Sequence, residues 1–202
     1  MNMPRQTLAT DVGFSLRNKG FTLVELMITL AVAAILVTLA IPSFTTFVKN
    51  NRLITQANDF VTALNLARSE AIRRGDRVTL CKSSDQVSCA GSGSWDQGWI
   101  VFVDVNDDGV VSNPATNVLR VHDGLEGNVT LKGDAALAAY VSYVSTGATR
   151  QIGGSPSATQ SGVLALCDDR GFVNEAKGIQ ISATGRVSAT SATSSAATSC
   201  TP

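Results

Sequence analysis

By the spacing of its apolar residues, the 202-residue chain falls into three stretches. From Phe21 to Ile41 it is apolar almost throughout, with Glu25 as the single charge. Those 21 residues suffice to cross a hydrocarbon layer as a helix, which takes about 20. A carboxylate there costs on the order of 2.5–3.5 kcal/mol at mid-bilayer and less near the interface, so Glu25 needs a neutralising partner. Pro42 is expected to kink the helix rather than end it, because the apolar pattern continues beyond. Phe44, Phe47, Val48, Ile54, Ala57, Val61, Leu64 and Ala71 recur at mostly three- and four-residue steps, with Lys49, Asn50, Asn51, Gln56, Asn58 and Asp59 on the opposite face. The spacing predicts one helix over 21–74, membrane-spanning over 21–41 and amphipathic over 42–74, about 80 Å long. Arg73 and Arg74 complement the negative end of its dipole, and Gly75 is a good stop.

Beyond Gly75 the period shortens to that of strands separated by turn residues. Strands are expected near Arg77–Cys81, Gly98–Asp104, Asn117–His122, Asn128–Lys132, Tyr140–Ser145, Gly162–Cys167, Gly178–Ser182 and Arg186–Ala189. Trp99 to Val103 is apolar on both strand faces, which predicts a central strand covered on one side by the helix and on the other by a second sheet. The expected fold is α+β: a long N-terminal helix packed on a β-sandwich-like domain of antiparallel strands over 75–202. The tail, 188–202, is mostly Ser, Ala and Thr and has little to bury, but Cys200 near its end argues that it is tied back.

Charge sets the orientation. Residues 1–20 carry Arg5, Arg17 and Lys19 against Asp11, and basic residues beside a span favour the cytoplasm. The apolar segment comes after Gly20 instead of preceding a small-residue cleavage site, unlike a secretory signal. With 16 basic and 16 acidic residues overall, the chain beyond residue 20 is left at −2, which gives no global drive toward nucleic acid.

The run Lys19-Gly20-Phe21-Thr22-Leu23-Val24-Glu25-Leu26 closely resembles the class III signal and N-terminal helix of type IV pilins and type II secretion pseudopilins. The resemblance implies that a prepilin peptidase cuts between Gly20 and Phe21, removes a leader of residues 1–20 and methylates the Phe21 amine. It also implies a partner for Glu25: the Phe21 amine of a neighbouring subunit during assembly. Pro42, the 22nd residue after the cut, matches pilin helices. Leu64 to Arg74, containing Ala67-Arg68-Ser69-Glu70-Ala71-Ile72, and Trp95 to Asp104 narrow the resemblance to GspH, FimT and FimU minor pilins. This likeness implies a single-pass protein of the bacterial inner membrane, its C-terminal domain in the periplasm, assembled with major and minor pilins or pseudopilins. The leading expectation is a FimU/FimT-like minor pilin that joins and helps prime or cap a type IV pilus. The alternatives are the type II secretion pseudopilin H and, in a different class, a DNA receptor for natural transformation.

Candidate chemistry is sparse. Four cysteines, Cys81, Cys89, Cys167 and Cys200, suit two disulfides in an oxidising compartment. Cys81 and Cys89 would staple a short polar loop, and Cys167 with Cys200 would pin the tail, though four cysteines allow three pairings. Zinc is disfavoured, because no C-x-x-C pair exists and His122 is the lone histidine. Asp104, Asn106 and Asp108 before Gly109 imitate the first half of a calcium loop, but Ala115 stands where its bidentate glutamate belongs, so a polar connection is the better reading. DNA-binding FimT-type pilins carry a GRxR-like motif near the C-terminus; Gly185 and Arg186 match it, and Ser188 replaces the second arginine. No metal or other cofactor, no catalytic constellation and no DNA partner are expected.

Overall fold

A computed structural model describes residues 20–155, 158–171, 175–191 and 200. The leader through residue 19, Phe172 and most of the Ser/Ala/Thr tail lie outside the described residues. The chain forms two compact units, one up to Phe44 and one from Thr45 onward.

Helix α1 runs from Leu23 to Arg74 and passes through Pro42. Within the second unit its inward seam is Leu53, Ala57, Phe60, Leu64, Ala67 and Ala71, alternating steps of four and three residues. This seam is rotated from the one expected. Ala57, Leu64 and Ala71 are on it, but Phe44, Phe47, Val48 and Ile54 stay exposed. Gln56, assigned above to the polar face, is buried and donates from Nε2 to the Glu126 carbonyl at 3.0 Å. The helix carries two apolar faces, and periodicity alone blends them. Gly75 closes the helix at φ +78°, donating to the Ala71 carbonyl, a backbone state that favours glycine.

Among the described residues eight strands follow: β1 (Val78–Lys82), β2 (Trp99–Val103), β3 (Val118–His122), β4 (Thr130–Gly133), β5 (Tyr140–Tyr143), β6 (Gly162–Cys167), β7 (Lys177–Ile181) and β8 (Val187–Ser191), with a short helix α2 at Pro114–Asn117. They form two antiparallel four-stranded sheets, ordered β3-β2-β1-β5 and β4-β6-β7-β8. Alternate residues of both sheets enter the core that the helix seam lines: Val78, Leu80 and Val101 from the first, Leu131, Leu164 and Ile179 from the second. Phe60 meets Trp95 and Trp99 edge-on, with ring centroids 5.2 and 5.0 Å away. The indole of Trp95 donates to the Leu137 carbonyl at 2.9 Å, so its one polar group is satisfied inside the core.

The cover over β2 differs from expectation. Helix and second sheet both pack into the core that holds Trp99 and Val101. The opposite face, Ile100 and Phe102 with Cys81, is covered by Cys89, Val111, Val118 and Tyr140, which come from the connections and the flanking strands β3 and β5. The last strand, expected to end at Ala189, runs two residues further into the tail: Thr190 and Ser191 pair with β7, because an open ladder beside Lys177–Ile181 satisfies their backbone where their side chains bury little.

Disulfides join Cys81 to Cys89 and Cys167 to Cys200. The first closes the loop over the outer face of the first sheet; the second sets Cys200 against Ala165 and Ala176 on the outer face of the second sheet. Their separations, 8 and 33 residues, set unequal contributions in the chain-entropy picture: about 2.5 kcal/mol for the first and about 3.7 for the second at 25 °C. Replacing Cys167 and Cys200 together by serine should therefore lower the denaturation midpoint more than replacing Cys81 and Cys89. Chemical denaturation of the two double variants measures this, and the reverse order would contradict it.

Candidate assembly site

The N-terminal helix is apolar and uncovered. Every residue from Gly20 to Val48 is exposed, including Phe21, Leu23, Leu26, Leu39 and Phe47. The helix is long and apolar enough to cross a membrane, and none of its most apolar 18-residue window is buried within the protein. Glu25 lies in its first turn, where the peptide dipole favours a negative charge.

Within one subunit Glu25 already has a partner, which the charge pattern alone did not reveal. The Thr22 hydroxyl accepts the Glu25 amide at 3.2 Å, and the Glu25 carboxylate accepts the Thr22 amide at 2.9 Å. That reciprocal pair is a capping box, and the Thr-x-x-Glu spacing is its visible signal. Phe21 and Gly20 precede it in exposed, non-helical chain. Among the described residues a methyl group at residue 20 would meet no atom within 4 Å, so no packing there demands a glycine.

Where the helix enters the second unit, the turn after β6 grips it. Lys49 pairs with Asp169 at 2.7 Å, and Arg170 donates to Asn50 at 2.8 Å. Arg170 also holds the nearly buried Asp168 at 2.6 Å. Burial pushes the Asp168 carboxyl up, but hydrogen bonds and charge from Arg170 prevail and lower it. Next to Asp168, Cys167 is bonded to Cys200, so the tail bridge and the helix grip share one turn. Nothing in the sequence marked these partners, which lie 120 residues apart.

At the far end of the helix, Ala67 and Ala71 of the Ala67–Ile72 run are fully buried. Glu70 binds Arg73 and Arg74, which hold its carboxyl down to about 2. A depressed carboxyl contributes fully above the ordinary carboxylate range, so this staple is lost only as pH falls toward 2. Arg68 donates to the Thr184 carbonyl in the β7–β8 turn. In that turn Gly185 has φ +79°, and a Cβ there would come 2.0 Å from the Gly147 carbonyl oxygen. Arg186 is exposed, and Ser188, two residues on in β8, is exposed too. The glycine of this Gly-Arg pair is thus required by close packing, and the arginine has no second arginine beside it at 188.

The loop after β2 spends its acid on itself. Asp104 is buried and accepts the amides of Asp108 and Gly109 and the hydroxyl of Thr79, all within 3.2 Å. Burial raises its carboxyl despite those donors and the nearby Arg77. Asp107 turns outward to Arg77 at 2.7 Å, and the Asn106 amide donates to Ser112. Among the described residues no group of three or more His, Cys, Asp or Glu side chains is arranged to hold a metal ion. His122 ends β3, stacked flat on Trp99 at 3.9 Å.

Residues 56–185 match the family model described as type II transport protein GspH, and residues 14–41 match the prokaryotic N-terminal methylation motif. The fold is similar to that of the type IV minor pilin FimU of Pseudomonas aeruginosa PAO1. Its crystal structure in space group P21 aligns with a TM-score of 0.57 at 21% identity, covering 77% of this chain and 99% of that one. The structure in space group P65 gives 0.53 at 21%, covering 74% and 100%. No curated protein matches the chain. Since the GspH match spans more than half of the sequence and the methylation motif precedes it, the protein belongs to the GspH family of type IV minor pilins and pseudopilins.

Proposed function

We propose that this chain is a minor pilin that is cut after Gly20, methylated at Phe21 and joined to a type IV pilus, whose assembly it helps to prime or cap. The observation that carries this reading is the uncovered apolar surface of α1, exposed without interruption from Phe21 to Val48. A lipid layer can cover it before assembly, and helices of like subunits can cover it afterwards. The domain then sits on the periplasmic side, the leader having stayed in the cytoplasm. The role is structural, with no catalytic step and no cofactor. Secretion-filament assembly as pseudopilin H is the second reading, favoured by the description of the matched family. Deleting the gene separates the two: loss of surface pili supports the first, and retained pili with loss of exoprotein export supports the second.

Glu25 is proposed to pair with the Phe21 amine of a neighbour. Glu25→Gln keeps a side chain able to close the capping box with Thr22 but removes the charge. It should insert normally, since a carboxylate is removed from an apolar span. Filament incorporation should fall about tenfold, the equivalent of one lost interaction of ~1.4 kcal/mol. Immunoblots of sheared filaments against membrane fractions measure this; normal incorporation would assign the role of Glu25 to its cap. Mass spectrometry of the membrane-extracted protein should find N-methylated Phe21 as the first residue, and retention of residues 1–20 in a peptidase-positive cell would overturn the processing.

Duplex DNA should bind weakly. Counterion release scales with the number of phosphates neutralised, and the Gly185-Arg186 turn offers one exposed arginine. The detergent-extracted chain should show a Kd no better than about 10 µM for a duplex of about 30 base pairs at roughly 150 mM salt, within the non-specific range. Submicromolar binding lost in Arg186→Gln would instead establish a DNA receptor.

A further inference from the structure

Beside the core, helix α1 and the chain leaving β3 enclose an open groove of about 470 Å³, lined by Arg52, Gln56 and Asp59 on one side and His122 to Glu126 on the other. Its hydrogen-bonding capacity is unbalanced. The His122 Nδ1 lies 2.6 Å from the Asp123 carbonyl, which can only accept, so Nδ1 bears a proton, and in the uncharged form of the ring Nε2 is an acceptor. That Nε2 is 3.9 Å from Asp59 Oδ2, a second acceptor. Gln56, 8% exposed, gives its Nε2 to the Glu126 carbonyl, which leaves the buried Oε1 with no donor. Among the described residues the Glu126 carboxylate has no ion-pair partner either. Asp123 is bonded by Gln86, and the Arg52 guanidinium lies against Gly127, where a Cβ would fall 1.7 Å from Nη1. Among the described residues Arg52 forms no ion pair across the groove.

With the ring uncharged, His122 Nε2 and Asp59 face one another as acceptors, and among the described residues no donor bridges them. We propose that this groove seats a cationic side chain, guanidinium or ammonium, of an apposed polypeptide, bridging His122 Nε2 and Asp59 and drawing on Glu126. A multi-donor cation matches both the surplus of acceptors and the excess of negative charge, three carboxylates against one guanidinium. The flat ring of His122, held on Trp99 at an interplanar angle of 8°, fixes the direction of its lone pair. In a filament the donor would be a neighbouring subunit, so the identity of the partner rests on the assembly reading, whereas the site does not.

The test is a titration of the isotopically labelled full chain in detergent at a pH of about 7.5, where an ordinary histidine is neutral. Arginine amide and lysine amide are the probes; glycinamide and sodium chloride at equal ionic strength are the controls. Saturable shifts of the Trp99 indole and the 121–127 amides are expected with one or both probes and not with the controls. The half-exposed Asp59→Asn should weaken the response at least about tenfold, one interaction's worth, while Asp85→Asn, in the Cys81–Cys89 loop, leaves it unchanged. Shifts that do not saturate, equal those with glycinamide or survive Asp59→Asn would overturn the site. Failure here leaves filament incorporation, measured separately, untouched.

Discussion

A helix that its own chain leaves uncovered is the constraint on which the rest depends. From Phe21 to Val48 α1 and the residues leading into it expose apolar side chains all round. In water such a surface is a liability, because contiguous exposed apolar area drives association. In lipid it is stable, and only then do Glu25 and its cap with Thr22 become the costly feature. The family match places the same demand on the chain, since GspH-type proteins are pilins and pseudopilins.

The second unit makes that arrangement workable by taking the later half of the helix into a core. Leu53, Ala57, Phe60, Leu64, Ala67 and Ala71 give the seam, with Phe60 set between two tryptophans. Burying a side chain the size of Phe60 typically stabilises by about 1.5–3 kcal/mol, far more than any of the exposed ion pairs nearby. The disulfides lie on the outer faces of the two sheets, where side chains are fewer and a covalent tie replaces area. Lys49, Asn50, Asp169 and Arg170 hold the helix at the position where it joins this unit.

Much of this was legible in the sequence. The described strands fall where runs bounded by turn residues were expected, most plainly the apolar Trp99–Val103 and Gly162–Cys167, and Gly75 marked the helix end because only a left-handed residue closes it cheaply. The phase of the inward seam was not legible. Phe44, Phe47, Val48 and Ile54 are as apolar as Leu53 and Phe60, and period alone cannot say which of two faces a helix turns to its own domain. The pairing of Lys49 with Asp169 left no local mark, since the residues lie 120 apart in sequence and meet only in the tertiary fold. Asp104 looked like a calcium ligand because a tight loop needs the same residue types to satisfy its own amides. Thr22 was readable too: its place three residues before Glu25 signals the cap, a signal that the lone charge of Glu25 overshadows.

The central claim is that the exposed face of α1 is covered by other pilin helices. Photo-crosslinking from individual positions on the two faces tests it most directly. A benzophenone amino acid placed at Phe47 or Ile54, both exposed, should yield covalent dimers with pilin subunits in cells that assemble filaments and not in cells lacking the assembly machinery. The same probe at Phe60, fully buried, should yield only intramolecular products. Crosslinks from Phe47 and Ile54 that remain within the chain or reach lipid alone, in cells making filaments, would contradict the account.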